Sequence, residues 1–228
     1  MTLEIIFEDD YLLAINKPHG LLVHRTSIAT NTDVYALQLL RNQVGYHVYP
    51  IHRLDRKTAG ILLFSKTADF VSQIQSILQE ATTTKKYVAV VRGHFPEEIT
   101  VDYPLTNDKG KTQAATTHFR CIAQTEVDLP LGKHNTSRYS LIEAFPKTGR
   151  MHQIRKHLNH LRHPIIGDRP HGCNKQNKLF LEQWQLSSML LCAVELSFTH
   201  PVYTNKTTIN SQPSSEFERI CALLFKNQ

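Results

Sequence analysis

The sequence predicts an α+β fold, and three observations carry that expectation. Lys85 to Arg92 alternates as a strand, with Tyr87, Ala89 and Val91 on one face and Val88 and Val90 on the other. Met151, Ile154, Leu158 and Leu161 recur at helical spacing instead. Both patterns sit in 228 residues without an internal repeat or a long Gly/Ser linker, so a single mixed domain over residues 1–228 is expected.

Taken in order, Ile5 to Phe7 and Leu12 to Asn16 read as two strands around an Asp9-Asp10 turn, and Lys17-Pro18-His19-Gly20 interrupts the chain. Ile61 to Phe64 is a short apolar run of the kind found in a buried strand. Phe70, Ile74, Ile77 and Leu78 mark an amphipathic helix from Asp69 to about Glu80, which Thr82-Thr83-Thr84 ends. The strand from Lys85 to Arg92 can be covered on both faces. Met151 to Leu161 is expected to be a helix that stops before His163-Pro164, because the residue ahead of a proline is driven out of helical geometry. Ser188 to Ala193 reads as a buried strand, and Ser215 to Lys226 as a last helix with Phe217, Ile220, Cys221, Leu224 and Phe225 on one face.

Composition narrows the function. Hydrophobic residues make up 41% of the chain, enough for a sizeable core. A formal charge of +6 with 13 histidines favours a polyanionic partner. Cys121, Cys173, Cys192 and Cys221 form no Cys-x-x-Cys pair, which argues against a zinc ribbon or disulfide framework and fits a reducing cytoplasm. No apolar run reaches the roughly 20 residues that span a bilayer. The acidic start from Glu4 to Asp10 is unlike a signal peptide. A soluble, unprocessed monomer is expected.

Two stretches carry chemistry. In His52-Arg53-Leu54-Asp55-Arg56-Lys57-Thr58-Ala59-Gly60 one carboxylate lies between two arginines, just ahead of the apolar run. Positive charge on both sides favours the ionised form of Asp55, and an ionised carboxylate serves as nucleophile or base without a metal. A surface ion pair would look the same in sequence. The stretch from Lys147 to Lys178 holds eight Lys or Arg residues, five histidines and one acid, Asp168. That density suits phosphates. On the expected helix Arg155 borders the apolar stripe of Ile154 and Leu158, which allows it to point inward toward a buried carboxylate. Nothing supports a metal: His152 and His157 would lie about 140° apart on a helix, and no acid falls between the histidines from His152 to His163. Lys17-Pro18-His19-Gly20 is no glycine-rich phosphate loop, so no nucleotide cofactor is expected either.

His52-Arg53-Leu54-Asp55 with Thr58 and Gly60, then Lys86-Tyr87, then Thr148-Gly149-Arg150-Met151-His152-Gln153-Ile154-Arg155, resembles the RluA family of RNA pseudouridine synthases. The opening from Ile5 to His24 is similar to that family's as well, and the likeness runs to about Pro201. Thr136 to Tyr139, Pro146-Lys147 and His160 to Asp168 look most like the TruC branch, whose substrate is a uridine in tRNA. The resemblance implies a largely antiparallel central sheet with flanking helices, a cleft across the sheet, and no separate N-terminal RNA-binding module. It implies Asp55 as the catalytic aspartate, Arg155 as its partner and Tyr87 as a ring stacked on the target uracil. Arg53 would contact the flipped-out region, and Leu191 would line the floor of the site. His52, Arg56, Lys156 and Arg162 complete the expected RNA contacts. Cys192 stands where many relatives have histidine, and Ala59 where many have serine.

Three other readings compete. A noncatalytic RNA-binding protein would also be basic. A synthase acting on 23S ribosomal RNA would keep every catalytic residue. A glycoside hydrolase needs a second carboxylate, for which Asp168 is the best candidate, although Ile166-Gly167-Asp168 reads more simply as a strand end and turn.

Overall fold

A computed structural model of the chain describes residues 1–24 and 34–225. In chain order the first elements are β1 (Glu4–Glu8), β2 (Leu12–Lys17), α1 (Ala36–Val44), β3 (Tyr49–Pro50), β4 (Ala59–Ser65), α2 (Val71–Ile77), β5 (Thr84–Arg92), β6 (Glu98–Asp102) and β7 (Leu105–Thr106). They are followed by β8 (Thr112–Gln113), β9 (Thr116–Val127), β10 (Ser137–Pro146), α3 (Gln153–His160), α4 (Asn174–Trp184), β11 (Leu191–Thr199), β12 (Lys206–Asn210) and α5 (Ser215–Phe225). The class is α+β, and the strand pairing is mostly antiparallel. Among the described residues no helix is long and apolar enough to cross a membrane. Lys226, the expected end of the last helix, lies outside the described residues.

The chain groups into two compact units: Met1–Lys85 with Cys192–Pro213, and Lys86–Leu191 with Ser214–Gln228. In the first, β2 pairs antiparallel with β1 and β4, and β4 pairs parallel with β11 through Cys192↔Ala59 and Ala193↔Gly60. With a strand on each side, β4 is buried along its whole length, which is why Ile61 to Phe64 shows no alternation. The Asp9-Asp10 turn forms as the sequence predicts: the Asp9 carboxylate accepts the Tyr11 and Leu12 amides at 2.8 and 2.7 Å. The helix expected from Asp69 to Glu80 is shorter. After Ile77 the amides of Gln79 and Glu80 turn back to Ser76 and Ile77, a three-residue pattern that tightens and closes the last turn.

In the second unit β10 pairs antiparallel with β5 and β9, and β9 with β6. The alternation of β5 is borne out. Ala89 and Val91, with Tyr87 beside them, join a core of Phe95, Phe119, Ile142, Ile154, Leu158 and Leu191. Val88 and Val90 face a second core of Tyr139, Phe180, Phe217, Ile220 and Leu224. The helix expected from Met151 to Leu161 is α3, Gln153–His160, because left-handed residues stand near both ends: His152 at φ 56° and Arg162 at φ 62°.

Candidate active site

The first unit carries Asp55 on a turn braced from several directions. Leu54 is buried, and the Thr58 amide donates to the Asp55 carbonyl at 3.0 Å. Beyond the turn, Gly60 adopts φ +103°, and a Cβ there would lie 2.1 Å from the Ala193 carbonyl oxygen. Only glycine permits the close parallel pairing of β4 with β11 at this point. On the other side, the Gly20 amide donates to the Arg56 carbonyl at 2.8 Å, and Arg56 Nε returns a bond to the Gly20 carbonyl at 2.9 Å.

Lys17 ties these loops together. It is fully buried, and its Nζ donates to the carbonyls of Pro18, Leu21 and Arg56 at 2.9, 2.9 and 3.3 Å. Burial draws its pKa down to about 7, against the opposing influence of the Asp55 charge. In sequence it lay within an apparent chain interruption. A lysine closing an apolar strand was the one available signal, and a weak one. Cys192 is also buried, which pushes its thiol up to about 12, so it stands as an uncharged group.

His52 accepts the Leu63 amide through Nε2 at 3.2 Å, and burial lowers its pKa to about 4, with the Lys85 charge acting the same way. It therefore adds no positive charge at neutral pH. Arg53 and Arg56 are exposed.

The second unit carries Tyr87, Arg155 and Leu191. Tyr87 stands on β5 opposite Ala144 and is half-buried against the core that holds Ile154, Leu158 and Leu191. Arg155 does point inward. It is 4% exposed, and Nε and Nη2 donate to Asp168 Oδ2 and Oδ1, each at 2.8 Å, while Asp168 is 1% exposed. Burial alone would raise the Asp168 pKa, but the Arg155 hydrogen bonds and charge outweigh it and hold the carboxyl below its usual range. The carboxylate also accepts the His171 amide at 3.3 Å. The residue weighed above as a hydrolase acid is thus the bidentate brace of Arg155.

Lys156, on the next position of α3, reaches the Thr106 carbonyl at 3.2 Å, and Arg162 is exposed beyond the helix. The histidines of this region go separate ways. His152 pairs with His171 at 2.9 Å, His157 with Thr117 Oγ1 and the Tyr103 carbonyl, and His163 with the Arg92 carbonyl. His160 stacks on Tyr103. Among the described residues no cluster of His, Cys, Asp or Glu groups could hold a metal ion.

Chemically, the first unit offers a carboxylate on a rigid turn, and the second a fixed buried guanidinium and a half-exposed phenol. Residues 11–160 match the family described as RNA pseudouridylate synthase. The chain is 42% identical to the tRNA pseudouridine synthase C of Vibrio parahaemolyticus, over 92% of this chain and 89% of that protein. It is 41% identical to the tRNA pseudouridine synthase C of Vibrio cholerae, over 91% and 89%. Among solved structures, human RNA pseudouridylate synthase domain containing 1 superposes with a TM-score of 0.73 at 20% identity, covering 93% of this chain and 84% of that one.

Proposed function

The chain belongs to the RNA pseudouridylate synthase family and is an RNA pseudouridine synthase, and from that premise we propose that it converts one uridine of tRNA to pseudouridine through Asp55. The substrate choice rests on relatives about two-fifths identical over nearly the whole chain, both named for tRNA. By the TruC resemblance the target is position 65 in the T-stem. The protein acts as a monomer in the cytoplasm.

The reaction breaks the bond from ribose C1′ to uracil N1, turns the base, and joins C1′ to C5. The product is an isomer of the substrate, so the net change needs neither electrons nor phosphate energy. Asp55 assists by attacking the sugar or the base, or by removing a ribose proton. The observation that carries this role is its placement: a carboxylate on a turn that Gly60, Arg56 and Lys17 hold in one geometry. Preorganisation of that kind is what a reacting group requires. Arg155, locked by Asp168, holds its buried guanidinium in one orientation. Tyr87 presents its ring to the uracil. A stacked base must leave the helix before it can react, and Arg53 supports the strand it vacates. Arg56, Lys156 and Arg162 contact phosphates, and Leu191 supplies apolar packing.

The test is to incubate unmodified tRNA and 23S ribosomal RNA transcripts with the protein and to map pseudouridine by carbodiimide labelling and primer extension. A single new stop in the tRNA T-stem is the expected result. Stops confined to the ribosomal transcript would overturn the substrate while leaving the chemistry in place.

A further inference from the structure

Tyr103 lies between β6 and the β7–β8 hairpin, within the second unit. Its backbone is pinned at both ends. The amide donates to the Ala115 carbonyl at 3.1 Å, and the carbonyl is 3.0 Å from His157 Nε2. Because a carbonyl only accepts, Nε2 carries the proton, and Nδ1 accepts from the Thr117 hydroxyl at 3.0 Å. Burial lowers the His157 pKa, so this tautomer is a stable neutral support. Yet the side chain on this rigid backbone remains in solvent: Tyr103 is 43% exposed. Its ring stacks on exposed His160 at 4.0 Å with planes 20° apart.

The segments around the stack carry three lysines and two acids. Lys156 lies one helical turn before His160 and is anchored on the Thr106 carbonyl. The hairpin after Tyr103 carries exposed Lys109 and Lys111. The acids nearby are Asp102, which accepts the Thr116 hydroxyl at 3.0 Å, and Asp108.

We propose that Tyr103 and His160 form a stacking platform for one unpaired nucleobase of the RNA substrate, other than the target uridine, with Lys156, Lys109 and Lys111 on its flanking phosphates. The inference rests on the assignment of an RNA substrate and adds a second point of recognition to it. A pair of stacked rings on a pinned backbone loses little freedom when a base joins it, and unpaired bases in RNA loops are recognised by such aromatic faces. A buried core tyrosine would instead be covered on both faces.

The experiment measures kcat and KM on an unmodified tRNA transcript for the parent, Tyr103→Ala, Tyr103→Leu, Tyr103→Phe and His160→Ala, with thermal melting of each. Tyr103→Ala and Tyr103→Leu are expected to raise KM about ten- to a hundredfold, the scale of one lost base stack. Their kcat at saturation should stay near the parent's, and Tyr103→Phe should behave as the parent. The salt dependence of RNA affinity should be unchanged by Tyr103→Leu but lessened by about one unit in Lys156→Ala. An unchanged KM in folded Tyr103→Leu, or equal losses in Tyr103→Phe and Tyr103→Ala, would overturn the platform alone. Failure of the parent to bind or modify either tRNA or 23S transcripts would overturn the RNA assignment and the platform with it.

Discussion

Replacing Asp168 with asparagine removes a charge and keeps the shape, which isolates the buried ion pair. Arg155 is 4% exposed and Asp168 1%, with two contacts of 2.8 Å. Unit charges about 3 Å apart attract by about 5 kcal/mol at an effective dielectric near 20. Breaking a buried pair by removing one partner costs about 3–5 kcal/mol, because the guanidinium stays buried without its counter-charge. For a chain of this size that corresponds to a fall in Tm of roughly 6–20 °C. The sign with pH follows from the depressed Asp168 pKa. The ionised carboxylate stabilises the fold above its unfolded pKa of about 3.9, and that contribution is lost as pH falls through the lower folded value. Thermal melts of the parent and Asp168→Asn followed by circular dichroism from pH 3 to 7 test this directly. The difference should be full at pH 7 and shrink toward pH 3. Asp168→Leu combined with Arg155→Met should recover much of the loss, since an apolar pair has no charge to strand. A cost below about 1 kcal/mol at pH 7 for Asp168→Asn would refute the reasoning, being the scale of an exposed pair.

Gly60→Ala should cost more than about 4 kcal/mol, since its Cβ would lie 2.1 Å from a backbone oxygen at φ +103°. Gly149→Ala, with nothing within 4 Å, should melt near the parent, and similar Tm values for the two would contradict the β4–β11 pairing. Lys17→Met should lose about 2–4 kcal/mol by stranding three carbonyls, measured by urea unfolding. Because the Lys17 pKa is drawn down to about 7, the unfolded chain holds this proton to higher pH. Parent stability should therefore gain up to about 1.4 kcal/mol per pH unit from this group between its folded and unfolded pKa values, a slope absent in Lys17→Met. Cys192, buried and raised to about 12, should resist iodoacetamide at pH 8 until the protein is unfolded. Fast native labelling at Cys192 would show that its strand opens.

What could be read in the sequence was local periodicity. The two faces of β5 divide between two cores as the alternation of Tyr87 to Val91 predicts, and Arg155 turns inward beside Ile154 and Leu158. The partner that meets it was not legible. Asp168 lies thirteen residues away across a turn where Gly167 takes φ +83° and Gly172 packs against the Asp168 carbonyl, and no short-range pattern encodes that approach. The helix α1 escaped notice because Tyr35 gives it no side-chain cap, and α4 because Asn174 to Trp184 begins within a run that reads first as charge. Lys17 looked like part of a break in the chain, whereas its value lies in three carbonyls, two from the segment that follows it and one from the distant Asp55 turn.

The central claim is that Asp55 performs the isomerisation. It is tested most directly by tritium release from a tRNA transcript labelled at uracil C5, because joining C5 to the sugar expels that label. The account predicts release by the parent and none above background for Asp55→Asn, with the variant still binding the transcript within severalfold of the parent affinity. Release at the parental rate by Asp55→Asn would contradict it.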